Sequence, residues 1–278
     1  MKSIRGKGKG EGGKGLMDWV SARKKMARKA SEGFSLSPFP LPLFPLLLVL
    51  LFAGCGQKLS DKIYWKGEDA GAATEEERAM PVVYVALGDS TGAGVGARKG
   101  GGYVARVFER IERVRPGSRL VNLCVSGATT SDVLRSQVGR VGAARPTLVT
   151  LGIGINDVSR QVSVEQFARN YEEIILRIRK ETDAPIVLTN IPDISHAPAV
   201  PVFLRAEALR RINLFNQSIK EIAARHNILA VDAYEKSHAV IPTHPEFFSP
   251  DGFHPSDEGY EFWAVTMWPT VKQAIGEE

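Results

Sequence analysis

The stretch Val82-Val83-Tyr84-Val85-Ala86-Leu87-Gly88-Asp89-Ser90-Thr91-Gly92-Ala93-Gly94 decides the architecture. Its first half is an apolar run of β-branched and aromatic residues stopped by glycine, the pattern of a strand buried on both faces. Its second half is polar and glycine-rich, the composition of a turn. The chain beyond repeats this alternation. A helical period over about 102–114 puts Val104, Val107, Phe108 and Ile111 on one face. Arg119–Cys124 reads as a second strand, 129–138 as a short helix and Thr147–Leu151 as a third strand. Ser163 opens the next helix, with Gln166 three residues on as a capping box and an apolar stripe of Phe167, Tyr171, Ile174, Ile175 and Ile178. Pro185–Asn190 is a fourth strand, about 203–226 a long amphipathic helix and Ile228–Val231 a fifth strand. Ser256-Asp257-Glu258 caps the last helix, its acids suited to the positive end of the dipole.

Strands alternating with helices predict an α/β fold, a three-layer α/β/α sandwich around a parallel five-stranded sheet. Residues 81–278, 198 in number, are enough to bury about 70% of the unfolded surface in one core. In such sheets the ligand crevice lies beyond the carboxyl ends of the strands. The loops expected to carry function are therefore 88–101, 124–128, 152–162, 190–202 and 232–255.

The whole chain has 278 residues and a formal net charge of +5. Residues 1–54 hold ten Lys and Arg against three acids, so the remainder is close to neutral and predicts no face for nucleic acid. Basic residues precede the apolar run Phe39–Phe52, which ends in Ala53-Gly54-Cys55-Gly56. That order is a secretory signal. The run is short for a membrane span, and Pro40, Pro42 and Pro45 each remove a backbone donor. Phe52-Ala53-Gly54-Cys55 resembles the lipobox of bacterial lipoproteins, with Phe52 where leucine is usual. The resemblance implies lipidation of Cys55, cleavage before it and anchoring to the membrane by several acyl chains. The leader is long, and a start at Met17 or Met26 gives a signal of ordinary proportions. The expected organisation is a leader over 1–54, a polar tether over 55–80 and a folded domain over 81–278.

Polar constellations stand at successive strand ends: Gly88-Asp89-Ser90 after the first, Ser126-Gly127-Ala128 after the second, Gly154-Ile155-Asn156-Asp157 after the third, and Asp251-Gly252-Phe253-His254 before the last helix. Singly, each is an ordinary turn or cap. A serine hydroxyl becomes a nucleophile when an imidazole takes its proton, and that imidazole needs a carboxylate on its other nitrogen. Pro250, Gly252 and Pro255 keep Asp251 and His254 out of a helix and favour a turn that aims both side chains at one point.

In this order the motifs resemble those of the SGNH (GDSL-type) hydrolase family, from about Val82 to the C-terminus. The resemblance implies a flavodoxin-like sheet and a serine ester hydrolase in which Ser90 is the nucleophile, His254 the base and Asp251 its orienting acid. The oxyanion donors it implies are the Ser90 N–H, the Gly127 N–H and the Asn156 side chain. Gly92 departs from the Thr or Ser that many members carry two residues past the nucleophile. The family pattern leaves the substrate open: an acyl ester of a lipid or of an acylated glycan, hydrolysed, or transferred to a cell-envelope glycan.

Gly88-x-Ser90-x-Gly92 also fits the nucleophile elbow of α/β-hydrolases, but only one strand precedes it and that fold needs several. Gly92-x-Gly94-x-Gly96 lacks both the dinucleotide fingerprint and the Walker lysine, so no nucleotide cofactor is expected. A binding lipoprotein without catalysis predicts a missing triad member, and none is missing. His196 borders the expected crevice or is simply a loop residue. His226 falls near a helix C-terminus. His238 and His244 lack ligand spacing, and no metal is expected. Cys124 reads as a small apolar strand residue, and Trp263 and Trp268 as packing. The protein expected is a secreted, lipid-anchored esterase.

Overall fold

The computed structural model describes residues 80–277. The expected leader, Cys55 and the tether up to residue 79 lie outside the described residues. Five strands, β1 (Val83–Gly88), β2 (Arg119–Asn122), β3 (Leu148–Gly152), β4 (Ile186–Thr189) and β5 (Leu229–Val231), form one sheet in the order β2-β1-β3-β4-β5. Every pairing is parallel. Right-handed crossovers require helices between parallel strands. The longer ones are α2 (Tyr103–Val114), α6 (Val164–Glu181), α7 (Val202–Arg225) and α9 (Asp257–Ala274). Shorter helices open several strand-end loops: α1 (Ser90–Ala93), α3 (Thr130–Ser136), α4 (Val141–Ala144), α5 (Ile155–Ser159) and α8 (Ala233–Val240).

The period-two alternation of each strand divides the core into two layers. Val85, Leu87, Val149, Leu151, Ile186 and Leu188 face the side covered by α6 and α7, where Phe167, Tyr171, Ile174 and Phe215 are fully buried. Tyr84, Ala86, Leu148 and Val187 face α2 and α9, against Val107, Ile111, Tyr260 and Met267. Thr150, a polar interruption in that second layer, is matched by the Tyr84 hydroxyl at 2.8 Å.

Some expected boundaries moved, each for a local reason. β2 ends at Asn122 instead of Cys124: the Asn122 side chain accepts the Cys124 N–H at 3.1 Å, while the Leu123 and Val125 N–H groups still donate to the Ala86 and Gly88 carbonyls of β1. Ser163 caps α6 through the Gln166 N–H, but the capping box is half made. The Gln166 amide reaches Asn170 at 2.7 Å instead of Ser163, because Asn170 is buried and needs an acceptor partner satisfied. α5 and α8 occupy stretches expected as loops. α8 is capped by Asp232, whose carboxylate accepts the Glu235 N–H at 3.0 Å. From β1 the chain first moves outward to β2 and then returns past β1 to β3, so the connections diverge between β1 and β3. That switch point is where an open α/β sheet leaves a crevice.

Candidate active site

Ser90 is the first residue of α1, directly beyond the switch-point end of β1. Asp89 caps that helix, its Oδ1 accepting the Thr91 N–H at 3.0 Å and the Thr91 hydroxyl at 2.8 Å. Gly88, one residue earlier, is gripped on both backbone groups by the buried Gln137 amide: Oε1 accepts its N–H at 2.9 Å and Nε2 donates to its carbonyl at 2.8 Å. Gly92 is left without a side chain because Cys124 occupies the space, and a Cβ there would overlap Cys124 Sγ. Burial pushes the Cys124 thiol up, so it packs as a neutral group.

Asp251 and His254 sit in a tight reversal of the chain between two 3-10 turns, Ile241–Thr243 and Pro245–Phe247, and α9. Phe248 and Pro255 pair as an antiparallel bridge, and the Ser249 N–H donates to the His254 carbonyl at 2.8 Å. Gly252 takes φ +69° at the corner, a conformation other residues rarely adopt. The reversal points His254 Nδ1 at Asp251 Oδ2, 2.6 Å away, and His254 Nε2 at Ser90 Oγ, 3.0 Å away. Asp251 Oδ1 accepts from the backbone N–H groups of Phe253 and His254 and from the Ser249 hydroxyl. Burial raises the Asp251 carboxyl, but these bonds and the His254 ring outweigh it and hold it below the usual carboxylate range.

Gly127 and Asn156 meet across the loops after β2 and β3. The Asn156 amide donates one hydrogen to the Ala128 carbonyl at 2.9 Å and keeps the other. Arg160 donates to the Gly127 carbonyl at 2.9 Å. The buried Asp157 accepts the Thr130 hydroxyl at 2.6 Å and the Thr130 N–H. α5 and its C-cap thus hold residues 127–130 at three points, and Gly127 takes φ +77° within that grip. The Ser90 and Gly127 N–H groups have no acceptor among the described residues.

Gln137, Thr130 and Arg160 were not expected as parts of this site, and Asp157, which belongs to the motif after the third strand, had no role of its own assigned. Gln137 and Thr130 are polar residues at the ends of a short helix, and their full burial is not visible in a periodicity. His196 is exposed, and its ring bonds to the Ser195 hydroxyl at 3.2 Å. His226 closes α7 against Glu172. His238 binds the buried Asp193 at 2.7 Å, and His244 binds Glu246 at 2.7 Å. Among the described residues no group of three or more His, Cys, Asp or Glu is placed to hold a metal. Trp263 packs as expected, stacked on Tyr103 with ring centroids 4.8 Å apart, but it also lines a cavity of about 80 Å³ that reaches His254.

A serine at a helix start on the carboxyl edge of a parallel sheet, bonded through histidine to a carboxylate, defines the class of serine hydrolases. The chain belongs to the GDSL-like lipase/acylhydrolase family, whose model matches residues 86–262. It is similar to an acetylxylan esterase of Geobacillus stearothermophilus, 28% identical over an alignment of 178 residues that covers 58% of this chain and 76% of that protein. It is also similar to the esterase TesA of Pseudomonas aeruginosa, 22% identical over 199 residues, 72% of this chain and 92% of that one. A solved structure of a variant of the acetyl xylan esterase Axe2 from Geobacillus stearothermophilus superposes with a TM-score of 0.58 at 26% identity, covering 73% of this chain and 98% of the other. The protein is a carboxylic ester hydrolase with the SGNH α/β fold.

Proposed function

We propose that this esterase works through a covalent acyl-Ser90 intermediate. His254 Nε2 takes the Ser90 proton as Oγ attacks the ester carbonyl, forming a tetrahedral oxyanion. The Ser90 N–H, the Gly127 N–H and the second Asn156 amide hydrogen donate to it. Collapse breaks the ester C–O bond, and the departing alkoxide takes the proton from His254. A water then repeats the sequence on the acyl-enzyme, leaving the acid and free Ser90. Asp251 keeps Nδ1 protonated and compensates the imidazolium. The observation that carries this reading is the unbroken Ser90–His254–Asp251 chain at 3.0 and 2.6 Å, three side chains spread over 164 positions of sequence.

Ser90→Ala should lower turnover of p-nitrophenyl butyrate by about 10⁴-fold or more, with the fold retained, and should abolish labelling by a phosphonate probe. Turnover near that of the parent enzyme ends the proposal. For localisation, the basic leader, the apolar run and Cys55 support export and lipid anchoring at the cell envelope. Cys55→Ala should move the protein from the membrane fraction to the soluble one, and an unchanged membrane fraction rules the anchor out.

A further inference from the structure

We propose that the acyl group removed by this enzyme is an unbranched apolar chain of about six to nine carbons, seated in the cavity under the catalytic loop. The proposal rests on the Ser90 mechanism and assigns its substrate class. Asp89 and Thr91, the two chain neighbours of Ser90, line the cavity together with His254, so its mouth adjoins the nucleophile. From there it crosses the carboxyl ends of β3 and β4 at Gly152 and Thr189 and reaches α8 and α9 at Ala233 and Thr266. Phe247, Phe253 and Trp263 supply most of its aromatic wall.

The chemistry of that wall selects the occupant. Its hydroxyl and amide side chains are engaged with the protein: Asn190 with Asp232 and the Tyr234 N–H, Ser237 with the Asp193 N–H and the Tyr234 carbonyl, and Thr266 with its own helix at Phe262, while Trp263 Nε1 is a buried donor without a partner among the described residues. A sugar ring or phosphate inserted there loses its water and finds at most the single Trp263 N–H in replacement, whereas methylenes lose nothing. Size gives the length. A water-sized group needs roughly 10–15 Å³ of such space, so about 80 Å³ holds roughly five to eight methylene-sized groups beyond the carbonyl. An acetyl group uses one.

The space is also preformed. A Cβ at Gly152 would overlap the Tyr103 hydroxyl, and one at Gly259 would overlap the Phe247 carbonyl, so both lining positions are held in close packing with their neighbours. The 190–194 wall is pinned by the Asn216 amide, which bonds both backbone groups of Ile191 at 2.8 Å, and by Asp193 on His238. Little ordering is left for the acyl chain to impose.

The test is a series of p-nitrophenyl esters from acetate to palmitate. Each methylene buried should raise kcat/KM by about two- to fourfold, so octanoate should exceed acetate by roughly 60-fold or more, with palmitate lower again. Thr266→Phe fills the inner end and should cut the octanoate-to-acetate ratio at least tenfold. Ala233→Leu is the second variant should the first unfold, with the melting temperature of each checked. Highest kcat/KM on acetate, or a ratio unmoved in both folded variants, overturns the acyl-chain assignment while leaving the Ser90 mechanism intact. Absence of turnover on every ester, with no phosphonate labelling of Ser90, instead defeats the mechanism itself.

Discussion

Replacing Gln137 with leucine keeps the side-chain volume close to native and deletes two hydrogen bonds at the base of the nucleophile turn. Past Asn122 the chain still donates to β1, from Leu123 to the Ala86 carbonyl and from Val125 to the Gly88 carbonyl, but the acceptor of the Gly88 N–H is a side chain and not a strand carbonyl. Gln137 Oε1 takes that place, accepting the Gly88 N–H at 2.9 Å, while its Nε2 donates to the Gly88 carbonyl at 2.8 Å. After the change the carbonyl keeps one partner, the Val125 N–H at 3.1 Å, but the N–H has none and stays buried. A buried orphan donor costs about 1–3 kcal/mol, and the second bond adds about 0.5–1 kcal/mol. The expected loss is about 2–3 kcal/mol, or roughly 4–12 °C in melting temperature for a domain of this size. Ser90 lies two residues on, so kcat should fall about 10- to 100-fold through misplacement of Oγ, with KM changed by less than about threefold. Urea unfolding, read as a shift in midpoint at constant slope, measures the first quantity, and steady-state ester hydrolysis the second. A loss below about 1 kcal/mol shows that the clamp is not holding Gly88. Unchanged kcat in a destabilised Gln137→Leu enzyme shows that it does not position the serine.

The other predictions concern the same rim. Burial pushes the Asp157 carboxyl up to about 6, against the Thr130 donors that pull it down. The folded chain therefore holds this proton more tightly than the unfolded one. The resulting stabilisation is full below about pH 4 and gone once pH has risen through about 6, and amounts to about 3 kcal/mol at most. Asp157→Asn should remove that slope, seen as a stability difference between parent and variant that changes between pH 4 and 7; parallel curves refute it. Gly92→Ala should destabilise by about 1–3 kcal/mol through overlap with Cys124 Sγ. Adding Cys124→Ala should recover about half, because the Cys124 Cβ remains 3.1 Å from the new methyl. Additive effects in that double-mutant cycle contradict the contact.

Gly92 also shows how a departure from a family motif becomes intelligible only in three dimensions. In the sequence it is a missing hydroxyl two residues past the serine. In the fold it is the space that Cys124, from the loop after the neighbouring strand, fills. The converse holds for Trp263, which periodicity assigns to packing and which turns one face to Tyr103 and contributes another to the acyl cavity.

The sheet, its longer helices, the strand ends that bear Ser90, Gly127 and Asn156, and the turn that bears Asp251 and His254 were legible in the chain, because they depend on local chemistry. Alternation of apolar residues, caps within four positions, and the turn-forming prolines and glycine around Asp251 act between near neighbours. The Gln137 grip on Gly88, the Asp157 hold on Thr130 and the cavity between the catalytic loop, α8 and α9 join residues 49, 27 and more positions apart. Such contacts arise from how the layers pack, and a polar residue destined for full burial looks in sequence like any polar residue at a helix end. Tertiary structure alone supplied the partners, and with them the shape that selects an acyl group.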